Sequence, residues 1–194
     1  GAEAWTTVTT SAEATAAARR GVDVLCVQGP AAGGHRGTWD LAATPDSRAL
    51  EELVSDVHTA APEVPLIAAG GLRTADDIAT AMSWDGVAAC SCGSAFLLTE
   101  EAGTSDYNRQ LLRRGGQTVS TRAFSGRFAR GLETQYTRSH PNLSPVYPLL
   151  NPVLKERRAQ HDNAVAYCLV GTDVAKINGG TVANILNDLC QNPH

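Results

Sequence analysis

The residues best able to do chemistry lie in one stretch, residues 24–40, which reads Val-Leu-Cys-Val-Gln-Gly-Pro-Ala-Ala-Gly-Gly-His-Arg-Gly-Thr-Trp-Asp. An apolar run ends at Gln28, and Gly33, Gly34 and His35 follow within a few small residues. Glycines carry no Cβ, so their backbone N–H groups can come close to a bulky anion. His35 would stand beside that anion and titrates near neutral pH. Taken alone, a glycine pair also makes a tight turn and a single histidine also serves as a structural residue. Two further stretches have the same layout. Leu66–Ala69 runs into Gly70-Gly71, and an apolar segment at 89–92, with Ser91 and Cys92 at its end, runs into Gly93-Ser94.

The elements that must position these residues follow from the hydrophobic pattern. Residues 4–10 are rich in Thr and Val and predict a strand. Ser11 is placed to cap an alanine-rich helix over 12–20, which Gly21 ends. Residues 22–28 form the next strand, 46–60 a helix with Leu50, Leu53, Val54 and Val57 at helical spacing, and 66–69 a strand. Thr74 starts a helix over 75–82, and 89–92 is the last strand of the series. The alternation β-α-β-α-β-α-β predicts parallel strands joined by crossovers. Residues 21–29 and 86–93 repeat one arrangement: a helix-ending glycine, a strand, then a glycine at the strand's C-terminal end. Three successive strands thus finish in glycine. In a parallel barrel those ends share one face, where ligands bind, and small residues leading into helix N-termini there make a phosphate cradle. No G-x-G-x-x-G follows a strand, which argues against a Rossmann dinucleotide site.

Composition narrows the class further. A hydrophobic share of 43% suits a folded globular chain and opposes disorder. A net charge of −4 with scattered Lys and Arg offers nothing to nucleic acid. No apolar stretch approaches the roughly 20 residues that a membrane span needs, and no signal peptide is visible, so a cytoplasmic protein is expected. The five cysteines are odd in number and include no C-x-x-C pair, which suggests neither a disulfide framework nor a zinc site. Cys26, Cys90 and Cys92 sit in apolar runs as small core residues.

The stretches Ala31-Ala32-Gly33-Gly34-His35-Arg36-Gly37, Ile67-Ala68-Ala69-Gly70-Gly71 and Gly93-Ser94-Ala95-Phe96-Leu97 resemble the nitronate monooxygenase family, formerly called 2-nitropropane dioxygenase. Thr121-Arg122-Ala123-Phe124-Ser125-Gly126-Arg127, with Ala129-Arg130-Gly131, is similar to that family's motif downstream of the barrel. The resemblance implies a TIM-type barrel that holds FMN non-covalently, with a small, mostly helical segment over the active site. It places Gln28, Gly33 and Gly34 against the flavin or its phosphate, with Gly70, Gly71, Ser91, Cys92, Gly93 and Ser94 completing the phosphate cradle. His35 matches the family's active-site histidine. An amide at the inner end of a strand, as Gln28 provides, is suited to reading a flavin edge. Ser94 stands where the family commonly has Thr, and Cys92 where it has a larger apolar residue; a hydroxyl is kept at position 94.

A βα barrel needs eight strands and typically about 250 residues. Only four strands are visible here, resembling the second half of the family's barrel. The expected fold class is therefore α/β: the second half of a TIM-type (β/α)8 barrel with parallel strands, plus a mostly helical cap. Residues 1–103 would form the half-barrel, 104–165 the cap and substrate segment, and 166–194 a final helical region packing back on the barrel. Half a barrel exposes two sheet edges. The chain is accordingly expected to be a fragment, a cleavage product or one subunit of a split barrel. An N-terminal half would then come from the same gene product or a separate chain, and a complete closed barrel within these residues would overturn that idea.

In the second half, 104–114 reads as a helix ended by Gly115-Gly116. Arg122, Arg127, Arg130 and Arg138 lie in an irregular stretch expected to cap the site, each arginine singly being a solvated loop residue. Tyr136 and Tyr147 are candidates for the substrate pocket, 153–160 is a short polar helix, and 176–190 is a final helix. The expected activity is FMN-dependent oxidation of an alkyl nitronate by O2 to a carbonyl compound and nitrite. The alternatives are an FMN-dependent enoyl-thioester reductase or NAD(P)H:quinone reductase on the same scaffold, and a non-catalytic half-barrel that completes a split flavoprotein.

Overall fold

A computed structural model of the chain describes residues 1–191. The first half folds as the alternating pattern requires. Strand β1 (Trp5–Val8) leads to helix α1 (Ser11–Ala18), β2 (Val24–Gln28), a two-residue strand β3 (Gly34–His35) and α2 (Leu50–Ala60). Then come β4 (Leu66–Ala69), α3 (Ala75–Met82) and β5 (Val87–Ser91). Strands β1, β2, β4 and β5 pair in that order, all parallel, in one sheet. Val8, Leu25, Val27, Leu66 and Ala68 are fully buried on one face, where Leu53, Val54 and Val57 of α2 and Ala14 and Ala17 of α1 cover them. Side chains alternate across a strand, so Thr7, Cys26 and Gln28 point to the other face. Trp5, on that same face by alternation, is 61% exposed.

In the first half, two helix starts differ from expectation for local reasons. Thr10, not Ser11, caps α1: its hydroxyl accepts the Glu13 N–H, while the Glu13 carboxylate accepts from the N–H and hydroxyl of Thr9. Helix α2 begins at Leu50 rather than 46. The Asp46 carboxylate accepts from the backbone and guanidinium of Arg48, which gives this stretch a turn in place of helix.

The larger correction concerns the cap. Helix α4 (Asp106–Arg114) is followed by two strands that hydrophobic periodicity did not signal, β6 (Thr118–Thr121) and β7 (Ala129–Leu132). They form an antiparallel sheet in the order β3-β7-β6, with His35 opposite Ala129. The segment expected to cap the site is thus part sheet, and the sheet includes residues of the Gly-Gly-His loop. Helices α5 (Gln135–Ser139), α6 (Leu150–Ala159) and α7 (Val182–Cys190) complete the described chain. The final helix starts six residues later than the pattern suggests: Gly180 takes φ +115°, which no helix continues through, and Thr181 caps α7 in a reciprocal box with Asn184. Ile185 and Leu189 of α7 pack with Ala95 and Ile78. A second core gathers Leu111 and Leu112 of α4 with Leu132, Cys168 and Val170. Among the described residues no helix is long and apolar enough to cross a membrane.

Candidate active site

The C-terminal ends of the parallel strands surround a cavity of about 200 Å3. Gln28, Ala69 and Ser91, the last residues of β2, β4 and β5, line it from below. Gly33, Gly70, Gly71, Gly93 and Ser94 line its rim, so seven of the ten residues expected to form the site meet here. Gly70 and Gly71 take φ +113° and +86°, a region that L side chains rarely adopt. A Cβ on Gly70 would also lie 2.9 Å from the Ala32 backbone nitrogen. Gly33 needs its missing side chain for another reason: a Cβ there would meet the backbone of Val170 and Gly171, with the Val170 carbonyl carbon at 2.6 Å. The chain crosses itself at that point. The Gly171 N–H donates to the buried Ser94 Oγ at 3.0 Å, and the Thr172 N–H donates to the Ala31 carbonyl. Ser94 is therefore already an acceptor, with its own hydroxyl proton still to give.

Cys92 does not join the cavity. Strand alternation puts Ser91 on the cavity side and turns Cys92 to the helix layer, against Ala95, Ile185 and Leu189. Burial pushes its thiol up to about 11. Gly34 instead sits in β3, at φ +84° and paired with Arg130.

His35 forms a second centre beside the cavity. Its Nε2 lies 2.7 Å from the Oγ of fully buried Ser125, and Tyr147 packs edge-on to the ring with centroids 5.5 Å apart. Burial, and then the positive charge of Arg127, hold the imidazole below its usual value of 6.5. It is therefore neutral at pH 7 and able to accept a proton. Gln28 links the two centres. Its amide nitrogen donates to the His35 carbonyl at 2.9 Å, and its amide oxygen accepts the Gly37 N–H at 2.7 Å. The side chain expected to read a ligand edge mainly braces the loop that carries His35.

The arginines of the cap are not the solvated loop residues expected of each one singly. Arg127 donates to the carbonyls of Arg36 and Thr38, Arg130 to that of Pro30, and Arg122 to that of Ala42. Together they staple the β6–β7 segment to the loop around His35. Arg138 alone stays at the surface, paired with Glu133. Tyr147 reaches His35, whereas Tyr136 stacks on His140 away from it.

Sequence reasoning missed Arg73. It is 8% exposed and lines the cavity. Its guanidinium donates to the carbonyls of Leu72 and Thr172, and its buried Nε has no partner. Burial lowers its pKa, opposed by Asp173, Cys92 and Asp77. The available signal was a basic residue just beyond a strand-end glycine pair.

Fold and site together define an α/β protein with a parallel sheet and a cavity at the strand ends, with a half-buried histidine bonded to a buried serine close by. The family model for nitronate monooxygenase matches residues 1–191, and the chain belongs to that family. It is 31% identical to the nitronate monooxygenase of Pseudomonas aeruginosa, over 87% of this chain and 51% of that protein. Nitroalkane oxidase from Streptomyces ansochromogenes superposes with a TM-score of 0.86 at 30% identity, covering 97% of this chain and 56% of that one. FabK from Thermotoga maritima shares the fold, with a TM-score of 0.77 at 24% identity over 97% of this chain and 60% of that one. The chain spans about half the length of the curated relatives it matches.

Proposed function

We propose that the chain is the C-terminal half of a TIM-type barrel that binds FMN and oxidises alkyl nitronates with O2 to a carbonyl compound and nitrite. The observation that carries this reading is the double role of Gln28, which lines the strand-end cavity and holds the His35 loop through two hydrogen bonds. A base and a ligand cavity are thereby braced by one side chain. The residues present fit a phosphate-bearing cofactor: two strand-end glycines at positive φ, a rim into which Gly93 opens freely, and a buried guanidinium with an unpartnered Nε. Pockets that enclose a whole ligand typically measure about 300–1,000 Å3, so about 200 Å3 suits the phosphate end alone. We assign the remaining walls to an N-terminal barrel half, on the same polypeptide or a separate chain, that covers the open face of the β1-β2-β4-β5 sheet. Five cysteines, all unpaired, accord with a cytoplasmic setting.

When bound, FMN would supply the redox chemistry between substrate and O2. Gly70, Gly71 and Gly93 would present backbone to its phosphate, and Ser94 its hydroxyl proton. Neutral His35 would take the proton from the carbon bearing the nitro group of a neutral nitroalkane, leaving the nitronate, or would hold a nitronate supplied as the anion by donating its N–H. Ser125 and Tyr147 would fix the ring, and the cap stapled by Arg127 and Arg130 would keep water out.

The test is a visible absorption spectrum of the chain co-expressed with the N-terminal half of a family member, followed by nitrite release in air from a neutral nitroalkane and from its nitronate. A flavin band and nitrite production are expected. His35→Asn should keep the flavin and lower turnover by about 10²–10⁴-fold. Unchanged turnover removes His35 from the chemistry, and a colourless reconstituted protein refutes the FMN reading.

A further inference from the structure

We propose that Arg73 is a ligand for a dianionic phosphate monoester in the strand-end cavity, clamping it together with Ser94 and the glycine backbone. The proposal rests on the FMN reading for the identity of the monoester, though not for the presence of an anion site.

Arg73 is placed by an unusually well-fixed loop. Its backbone N–H and that of Thr74 both donate to the Asp77 carboxylate, at 2.8 and 3.0 Å, within the capping box of α3. The side chain then runs inward, and Gly171 makes room for it: a Cβ at 171 would collide with Nη2. A guanidinium has five N–H donors. Two go to the Leu72 and Thr172 carbonyls, so five minus two leaves three, one of them the buried Nε–H with no partner. None of the ion pairs among the described residues involves Arg73. Asp77 is occupied by the helix cap. A cation this deeply buried is costly unless a counter-charge meets it.

Arg36 provides the contrast. It is also buried with an unpartnered Nε, but it donates to the carbonyls of Gln28, Gly29 and Asp46 and does not line this cavity. Arg73 does line it, as do Gly93 and Ser94, and the Ser94 Oγ, which accepts from Gly171, keeps its proton free for a ligand. Guanidinium fork, hydroxyl proton and strand-end N–H groups are all donors. That set matches phosphate oxygens, which accept, and Arg suits them better than Lys because two N–H groups can engage two oxygens.

The test compares FMN with riboflavin, which lacks the phosphate, by fluorescence titration of the chain reconstituted with the N-terminal half of a family member, as wild type, Arg73→Met, Arg73→Lys and the exposed control Arg138→Met. Circular dichroism and Tm verify that each variant is folded. Arg73→Met should weaken FMN about 10- to 100-fold and leave riboflavin unchanged, with Arg73→Lys between the two. Equal losses for both flavins, or no loss for either, overturn the proposal and make Arg73 a structural prop for Thr172. If the reconstituted wild type binds neither flavin, the FMN reading fails separately, and inorganic phosphate decides on Arg73. A Tm rise in phosphate over chloride at equal ionic strength, absent in Arg73→Met, upholds the anion site. No rise in the wild type refutes it.

Discussion

Replacing Gly33 by alanine isolates a tight backbone crossing. The added Cβ would lie 2.6 Å from the Val170 carbonyl carbon and 2.8 Å from the Val170 Cα. Comfortable carbon contacts are about 3.5–4.0 Å, so the two segments must part by roughly 1 Å. The obstacles are backbone atoms, which cannot rotate away as a side chain would. Parting them stretches the Gly171 N–H bond to Ser94 and the Thr172 N–H bond to Ala31, now 3.0 and 3.1 Å. Two hydrogen bonds at about 1 kcal/mol each, or the 1–3 kcal/mol usual for overpacking, put the destabilisation at about 1–3 kcal/mol. For a chain of this size that lowers Tm by about 2–12 °C, read by circular dichroism melts and urea midpoints. Gly93→Ala is the matched control, since its Cβ would meet nothing within 4 Å at φ −89° and should change stability by less than about 0.5 kcal/mol. A Gly33→Ala variant melting within a degree or so of wild type would show that the crossing is not packed as described.

Three further outcomes follow from the His35 centre. Gln28→Met removes both bonds that brace residues 35–37 and should cost about 1–3 kcal/mol in urea unfolding, with faster amide hydrogen exchange at Gly37. An unchanged exchange rate there would mean that the loop is held by the cap alone. Ser125→Ala deletes a fully buried hydroxyl and should lower turnover of the reconstituted protein about tenfold with flavin retained, whereas equal loss of flavin would make Ser125 a general structural residue. The third outcome concerns pH. Because His35 is held below 6.5 in the folded chain, the unfolded chain binds more protons just below that pH, and stability rises with pH through the window. Urea midpoints of wild type and His35→Asn should diverge there, the variant having the flatter slope; parallel curves would refute the lowered value.

Much of the molecule is written locally in the chain. The parallel strands at Val24–Gln28 and Leu66–Ala69 are short apolar runs closed by glycine, and α3 starts where Thr74 and Asp77 form a capping box, so neighbouring residues decide these elements. The strand-end glycines are legible for the same reason: positive φ at Gly70 and Gly71 is a local demand. Strands β6 and β7 were not legible, because they carry little periodicity of their own and β7, besides pairing with β6, is held by Gly34-His35 some 95 residues away. The arginine staples were hidden likewise, since an arginine that donates to distant carbonyls has the same sequence appearance as a solvated one. Gly33 could be read as a residue of the site, but the reason that it must be glycine is contact with Val170 and Gly171. Arg73 shows the division most plainly. The sequence by itself determined that a basic residue follows the glycine pair. Only the tertiary structure buried it beside the cavity without a carboxylate in ion-pair contact, since burial and pairing depend on chain segments far from it along the sequence.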